Sequence, residues 1–478
     1  MSIIRKSAVP TLSRSAFLMR DNSLEFYREC ERTAGIVETH FWRLPVYIVT
    51  DPGLIEDVLV RKQRFFVKSG ALRSAKRAFG EGLLTSDRQL WRQQRQIMQP
   101  AFHPNRVDGY RATMESAMEN LLASWGSGGE RNIHRDMTDF CFEVLAVSLF
   151  GEDMSEGRLL IAQAAAALHS FHDDYLKAIG SWGGLSYALL RAITTAAGRP
   201  DFVVDPACLP TANSRKFRAV MDTLDAFVES VISRRKLQPP RDDLLGMLIS
   251  ARDESGRPLP PQQIHDEVVT MFFAGHETGA AALTWAFYLL ARHPKAQAKL
   301  ASQIGTGNDD EFSNQVMREA MRLYPPAYRI GRTVVETCTL GGVKVRAGGE
   351  LLIPQWAVHR SERYYEEPER FRPERWTAEF TAHLPGFAYF PFGGGRRTCI
   401  GSAFGMIESK FVLNRVLRRF KLIRTEQAEP ALQMGVTLLP KDSSLQLTVE
   451  RRNDPALPYR EHQLAAAAPR CPFHAGED

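Results

Sequence analysis

Of the six cysteines in this 478-residue chain, Cys399 stands in the setting most suited to chemistry. It closes the run Phe392-Gly393-Gly394-Gly395-Arg396-Arg397-Thr398-Cys399-Ile400-Gly401. Three successive glycines permit backbone angles that a Cβ forbids and let the main chain approach a flat partner closely. Downstream, Phe404, Ile407, Phe411, Val412, Leu413 and Val416 recur with a helical period and predict a long amphipathic helix. At a helix N-terminus the macrodipole, the free N–H groups and neighbouring cations favour thiolate, the form that ligates a metal or attacks an electrophile. Cys399 is therefore expected to present one anionic sulfur.

A second stretch starts at Leu259-Pro260-Pro261 and is apolar on most faces to about Ala291, as a core-spanning helix would be. Its middle reads Ala274-Gly275-His276-Glu277-Thr278-Gly279. Glycine, an acid and a hydroxyl are costly inside a buried helix. Thr278 can bond back to the Ala274 carbonyl, and the small residues leave room for a groove or a water. A locally bent core helix with no chemistry explains this stretch equally well. Two further pairs stand out. Trp91 and Arg95 lie four apart on a helix that begins after Ser86 or Asp87, so an indole N–H and a guanidinium share a face that suits a carboxylate. Glu319 and Arg322 lie three apart on another helix and can pair.

The cysteine run resembles the haem-binding signature of the cytochrome P450 family, F-x-x-G-x-R-x-C-x-G, at Phe392, Gly395, Arg397, Cys399 and Gly401. Ala274, Gly275, Glu277 and Thr278 are similar to that family's A-G-x-E/D-T segment, Glu319 and Arg322 to its E-x-x-R helix, and Trp91 and Arg95 to its W-R-x-x-R helix. The resemblance spans residues 91 to 401. It implies a mainly α fold with a minor β region, a triangular helical domain enclosing haem b, in one domain over 1–478 with loosely packed termini at 1–25 and 454–478.

It further implies that Cys399 is the proximal thiolate of the haem iron, which favours O–O cleavage of the co-substrate O2. By the same resemblance Trp91, Arg95, Arg332 and Arg397 hold the haem propionates, and Phe392 packs on the sulfur side of the ring. Ala274 and Gly275 border the oxygen groove, Glu277 and Thr278 deliver protons, and Glu319, Arg322 and Arg375 form a buried ion triad. The substrate pocket is expected to be bordered by Phe79, Leu83, Phe273, Ala327, Tyr328, Ile330, Met434 and Val436. Arg329 either meets a substrate carboxylate or points outward, and the outward placement is preferred.

The elements that must position these groups are mostly helical. Residues 40–50 read as strands ending at Asp51-Pro52-Gly53, with a helix from Leu54 to about Arg61. Residues 68–88 read as a loop lining a pocket. Helices are predicted at 114–125, 137–150, 158–177 and 214–236, with a lid over 180–213 that carries Gly183-Gly184, Pro200, Pro206 and Pro210. His169, His172, Asp173 and Asp174 read as a solvated face rather than a metal site. Strands joined by glycine turns are expected from Arg332 to Pro354, and a hairpin around Met434-Gly435-Val436.

Scattered cysteines without a C-x-x-C pair argue against a disulfide framework or a structural zinc site and suit a reducing compartment, so a cytoplasmic chain is expected. A net charge of +6 is too small and too dispersed for nucleic acid. No run of eighteen apolar residues suggests a transmembrane helix, and no membrane anchor is expected. The basic first twenty residues faintly resemble a transit peptide, although a loosely ordered terminus is preferred. No ferredoxin-like cysteine spacing or flavin module is visible. The resemblance therefore implies a monomeric hydroxylase of a hydrophobic small molecule, such as a terpenoid, fatty acid, steroid or polyketide. Its electrons would come from a separate ferredoxin or flavodoxin with its reductase, docked on Arg92, Arg396 and Lys410 unless these are only a solvated face. The alternatives are a peroxide-using or rearranging haem-thiolate enzyme, a non-catalytic haem or lipid-binding module, and a cysteine hydrolase, for which no positioned histidine exists.

Overall fold

The computed structural model describes residues 23–452, except 42–43, 152–153, 181–188, 190–191, 202–211, 254, 305–308, 425–428 and 442–444, and the side chains of 155 and 169–180. The histidine and aspartate cluster at 169–174, most of the expected lid and both termini therefore lie outside the described residues.

The longer helices are α1 (Ser23–Thr33), α2 (Arg88–Met98), α3 (Arg111–Trp125), α4 (Ile133–Phe150), α5 (Ser155–Gly180), α6 (Ala212–Lys236), α7 (Pro261–Arg292), α8 (Pro294–Gln303), α9 (Asp309–Leu323) and α10 (Ser402–Arg419). The centre is α7. Pro261 at its first turn supplies a pre-set φ where no intrahelical N–H bond is lost. Ala281, Leu283, Thr284, Trp285 and Ala286 are fully buried and point round the whole helix, so it is enclosed by other elements on all sides. Phe142 and Phe150 of α4 pack on Phe272 of α7 with ring centres 5.8 and 4.7 Å apart. On another flank Trp285 stacks on Tyr324 at 4.1 Å and donates its indole N–H to the Leu438 carbonyl. Each such large apolar side chain stabilises the fold by about 1.5–3 kcal/mol relative to exposure.

A five-stranded sheet lies beside the helical body. Its strands are β1 (Ile36–Phe41), β2 (Leu44–Val49), β3 (Phe66–Lys68), β4 (Ile330–Val334) and β5 (Glu350–Ile353), in the spatial order β1-β2-β5-β4-β3. All neighbours are antiparallel except β2 and β5. This sheet presents the ends of β3 and β4 together, with Lys68 opposite Arg332. A separate hairpin of β6 (Leu432–Met434) and β7 (Leu438–Pro440) meets α7 through the Trp285–Leu438 bond. The expected helix from Leu54 to Arg61 is a short α-helix over Pro52–Glu56, capped by the Asp51 carboxylate, that continues as a wider turn over Asp57–Arg61. The stretch 68–88, expected as a loop, contains helical turns at Gly70–Arg73 and Lys76–Phe79, the first capped by Ser69. Ser69 and the positive φ at Gly80 set these boundaries by local side-chain and backbone chemistry, which hydrophobic period does not report.

Candidate active site

The run from Phe392 to Gly401 folds back on itself because the Cys399 N–H donates to the Phe392 carbonyl at 2.9 Å and the Thr398 hydroxyl to the Gly395 carbonyl at 2.7 Å. Gly395 has φ +67°, and a Cβ there would sit 2.2 Å from the Leu59 carbonyl oxygen, so no other residue fits. Gly401 ends the loop as the N-cap of α10. The loop faces α7 across a cavity of about 660 Å³ that Cys399, Phe392, Arg397 and Gly401 line from one side and Ala274, Gly275 and Thr278 from the other. Phe79, Leu83, Ala327, Tyr328, Ile330 and Val436 also line it.

Cys399 is accessible, and it opens onto this cavity. Protein atoms nevertheless surround it, and burial pushes the thiol above its ordinary value, against the Gly401 N–H and the Arg95 charge that pull it down. The expected preference for thiolate is thus not met by dipole and cations alone. Thiolate at this position needs a further positive partner, such as a metal ion.

At the cavity edge Lys68, Arg332 and Arg397 gather around the Asp87 carboxylate, with Glu267 also acting on Lys68, while the charge that acts on Arg95 is that of Cys399. Arg397 donates to Asp87 Oδ1 at 2.5 Å and lies over the Trp91 ring at 4.8 Å. Arg95 donates to the Thr398 carbonyl at 2.7 Å, Lys68 to the Leu83 carbonyl at 2.7 Å, and Arg332 to the Gly331 carbonyl at 2.9 Å. Burial lowers the pKa of all four, Arg332 to about 10, and Arg397 adds repulsion at Lys68 and Arg332. A buried cluster so rich in positive charge fits a dianionic group lying against it. The donor set, one sulfur facing an apolar cavity with paired-acid recognition at its rim, fits haem.

On α7 the Thr278 hydroxyl donates to the Ala274 carbonyl at 2.8 Å, the back-bond its spacing allows. At Gly275 a Cβ would meet Leu145 at 2.4 Å, so this glycine also permits the close approach of α4. Glu277, expected beside Thr278 at the groove, points elsewhere: Oε1 accepts from the Thr437 hydroxyl at 3.0 Å, between β6 and β7. Consecutive helical residues are 100° apart, and the Thr437 contact holds the Glu277 carboxylate on the side away from the cavity that Thr278 lines. Phe273 does not border the cavity either; it lies behind Phe79, edge to face at 5.2 Å. Met434 is also off the cavity wall, its sulfur accepting from the Ser23 hydroxyl at 3.3 Å. Arg329, expected to point outward, lines the cavity and donates to the Tyr27 hydroxyl at 3.0 Å. His276 is buried and bonded to the Phe272 carbonyl, a structural placement.

Glu319, Arg322 and Arg375 come together as a buried triad, with both Glu319–Arg322 contacts at 2.9 Å and Arg375 Nε 3.0 Å from Glu319 Oε1. Of the basic candidates near Cys399, Arg92 and Arg396 are exposed, whereas Lys410 is half-buried and 3.7 Å from Asp310. Among the described residues no helix is long and apolar enough to cross a membrane.

Among the cavity residues that the sequence does not single out are Lys68 and Glu408. Lys68 carries no motif signal. Glu408 does carry one, since it falls at the apolar i, i+4 positions between Phe404 and Val412 of α10. Its Oε2 faces Gly279, where a Cβ would come within 3.3 Å, and lies 3.9 Å from the Cys141 thiol. Burial pushes Glu408 up to about 8. A carboxyl raised in the folded state binds more protons folded than unfolded, so its contribution is full below about 4.5 and is lost as pH rises through about 8. Glu408→Gln is expected to flatten the fall of the urea midpoint across that window, and an unchanged slope would show that Glu408 is not held neutral.

The family model described as Cytochrome P450 matches residues 10–448. Cyclooctatin synthase of Streptomyces melanosporofaciens is 31% identical over 445 residues, covering 90% of this chain and 92% of that protein. Pentalenene oxygenase of Streptomyces avermitilis is 27% identical over 455 residues, covering 92% and 96%. A solved retinoic acid bound cyanobacterial CYP120A1 shares the fold with a TM-score of 0.77 at 23% identity, covering 91% of this chain and 96% of that one. With the family matched over nearly its whole length and a cysteine facing the long central helix across the cavity, this chain belongs to the cytochrome P450 family and is a monooxygenase with a haem-iron cofactor.

Proposed function

We propose that this enzyme inserts one oxygen atom from O2 into a terpenoid-sized hydrophobic molecule held between α7 and the Cys399 loop. The observation that carries the reading is the cavity itself, which has apolar walls, Cys399 on one side and the Thr278 hydroxyl on the other. Support for the substrate class comes from relatives named cyclooctatin synthase, pentalenene oxygenase and cyclooctat-9-en-7-ol 5-monooxygenase.

Cys399 would ligate the haem iron, while Lys68, Arg95, Arg332 and Arg397 would hold the propionates. Haem, when bound, supplies the redox chemistry that activates dioxygen. The chain's own residues do the rest. Phe79, Leu83 and Ile330 exclude water and orient the hydrocarbon. The Thr278 hydroxyl, released from the Ala274 carbonyl, can pass a proton into the cavity. Glu408, neutral near pH 7, stands across Gly279 as a proton store for that step. Glu277 acts from behind through the Thr437 contact, as a positioning residue. Electrons come from a ferredoxin or flavodoxin and its reductase, docking over the exposed Arg92 and Arg396 on the cysteine side.

The test is reconstitution with ferredoxin, its reductase and a cyclic terpene hydrocarbon. Wild type is expected to form a hydroxylated product that carries label from 18O2. Thr278→Ala is expected to lower product roughly a hundredfold, the scale of a lost general acid, while electron consumption continues and peroxide accumulates. Product formation that Thr278→Ala leaves unchanged would remove Thr278 from the proton path. Absence of label in the product would overturn the oxygenase reading.

A further inference from the structure

One charged group on the cavity wall has no part in the reaction proposed above. Arg329 sits just before β4, with Nη1 donating to the Tyr27 hydroxyl at 3.0 Å and the guanidinium carbon 5.2 Å from the centre of the Tyr328 ring. No carboxylate among the described residues pairs with it. Lys68, Arg332 and Arg397 sense one another, whereas the groups that act on the Arg329 charge are Tyr27 and Tyr328. It is therefore electrostatically separate from the cluster assigned to the propionates.

Its surroundings also hold it in place. Tyr27 is fully buried on α1, and that helix is fastened by Glu31, which accepts from Ser361 at 2.6 Å and from Arg363. Tyr328 is buried, and its hydroxyl donates to the Gly435 carbonyl at 3.2 Å. Both aromatic supports are thus fixed by other contacts, and the guanidinium is held where it meets the cavity. The cavity that Arg329 lines also carries the apolar side chains of Leu44, Val46, Leu72 and Leu352. A guanidinium stays charged at any working pH, and its planar fork matches a carboxylate with two parallel hydrogen bonds. Tyr27 and Tyr328 hold the guanidinium charged against its burial, and with no carboxylate partner among the described residues it is open to an anionic ligand.

We propose that Arg329 is a specificity-determining residue: the cavity takes an amphipathic molecule whose hydrocarbon body lies toward Cys399 and Thr278 and whose carboxylate pairs with Arg329. This rests on the reading of the cavity as the substrate site, and it narrows the substrate class to an apolar carboxylic acid. The acid anchors one end, so the position that meets Cys399 is set by the length of the hydrocarbon between them.

The experiment compares dodecanoate with methyl dodecanoate on the haem-loaded protein, by calorimetry and by the spin-state change in the visible spectrum. Wild type is expected to bind the acid at least tenfold more tightly than the ester, the scale of a charge-assisted pair. Arg329→Gln should bring that ratio close to one, and Arg329→Lys should restore part of it. The thermal midpoint of each variant reports whether the fold is intact. A ratio near one in wild type, binding of neither probe, or a ratio that Arg329→Gln leaves intact would overturn the proposal, the last leaving Arg329 as a brace between two tyrosines. Failure of the oxygenase reading has a different signature: wild type keeps the acid preference but returns no oxidised product from any bound ligand when ferredoxin supplies electrons.

Discussion

Arg322→Met is expected to lower folding stability by about 3–5 kcal/mol, the scale for removing one partner of a buried ion pair. Arg322 and Glu319 are both fully buried. The guanidinium donates twice to Glu319 and also to the carbonyls of His359, Pro368 and Arg370, so one side chain ties α9 to two separate segments before the Cys399 loop. Glu319 would keep Arg375, the Trp376 indole N–H at 2.9 Å and the Arg372 backbone N–H, but those three carbonyls would each lose a donor. Native domains are stable by only about 5–15 kcal/mol, so this loss should shift the urea midpoint far downward or prevent accumulation of folded protein. A midpoint within experimental error of wild type would mean that the triad contributes little. Arg375→Met should cost less, because Arg375 makes one contact to Glu319 and three to backbone carbonyls that lie close together in sequence.

Cys399→Ala is expected to abolish turnover while leaving the polypeptide folded. The side chain accepts only from the Gly401 N–H two residues on, while the bond that folds the loop back runs from the Cys399 backbone N–H to Phe392. Its sulfur looks into the cavity rather than into packed core. Removing it should therefore change the stability of the haem-free chain by well under the 2–5 kcal/mol of a core deletion. Product formation should fall by at least a thousandfold, because the group that ligates the iron is gone. Loss of folding in the haem-free variant would contradict the loop geometry, and retained turnover would remove Cys399 from the mechanism.

Much of the site could be read from the sequence because its parts are local. The glycines, Arg397 and Cys399 occupy one continuous loop, and Thr278 and Ala274 are one helical turn apart, so spacing fixes their geometry. The major helices followed from hydrophobic period for the same reason, and α7 begins at Pro261 as the Leu259-Pro260-Pro261 signal required. Groups that depend on distant elements were harder to read. Lys68 reaches the cation cluster only because β3 pairs with β4, a contact across more than two hundred residues that no local pattern carries. Arg329 faces inward because Tyr27, from the far N-terminal side, offers it a hydroxyl. Glu277 departs from its neighbour because Thr437 in a C-terminal hairpin captures it. Phe273 and Met434 are expected on the wall, yet side-chain direction on the helix and strand sends them into the packing behind it.

The most direct test of the account is the reduced carbon monoxide difference spectrum of purified wild type and Cys399→Ala. Thiolate ligation of the haem iron predicts a strongly red-shifted Soret band in wild type that is absent in the variant. A wild type without haem, or a variant that keeps the same band, would contradict the assignment of Cys399 as the ligand and the reaction built on it.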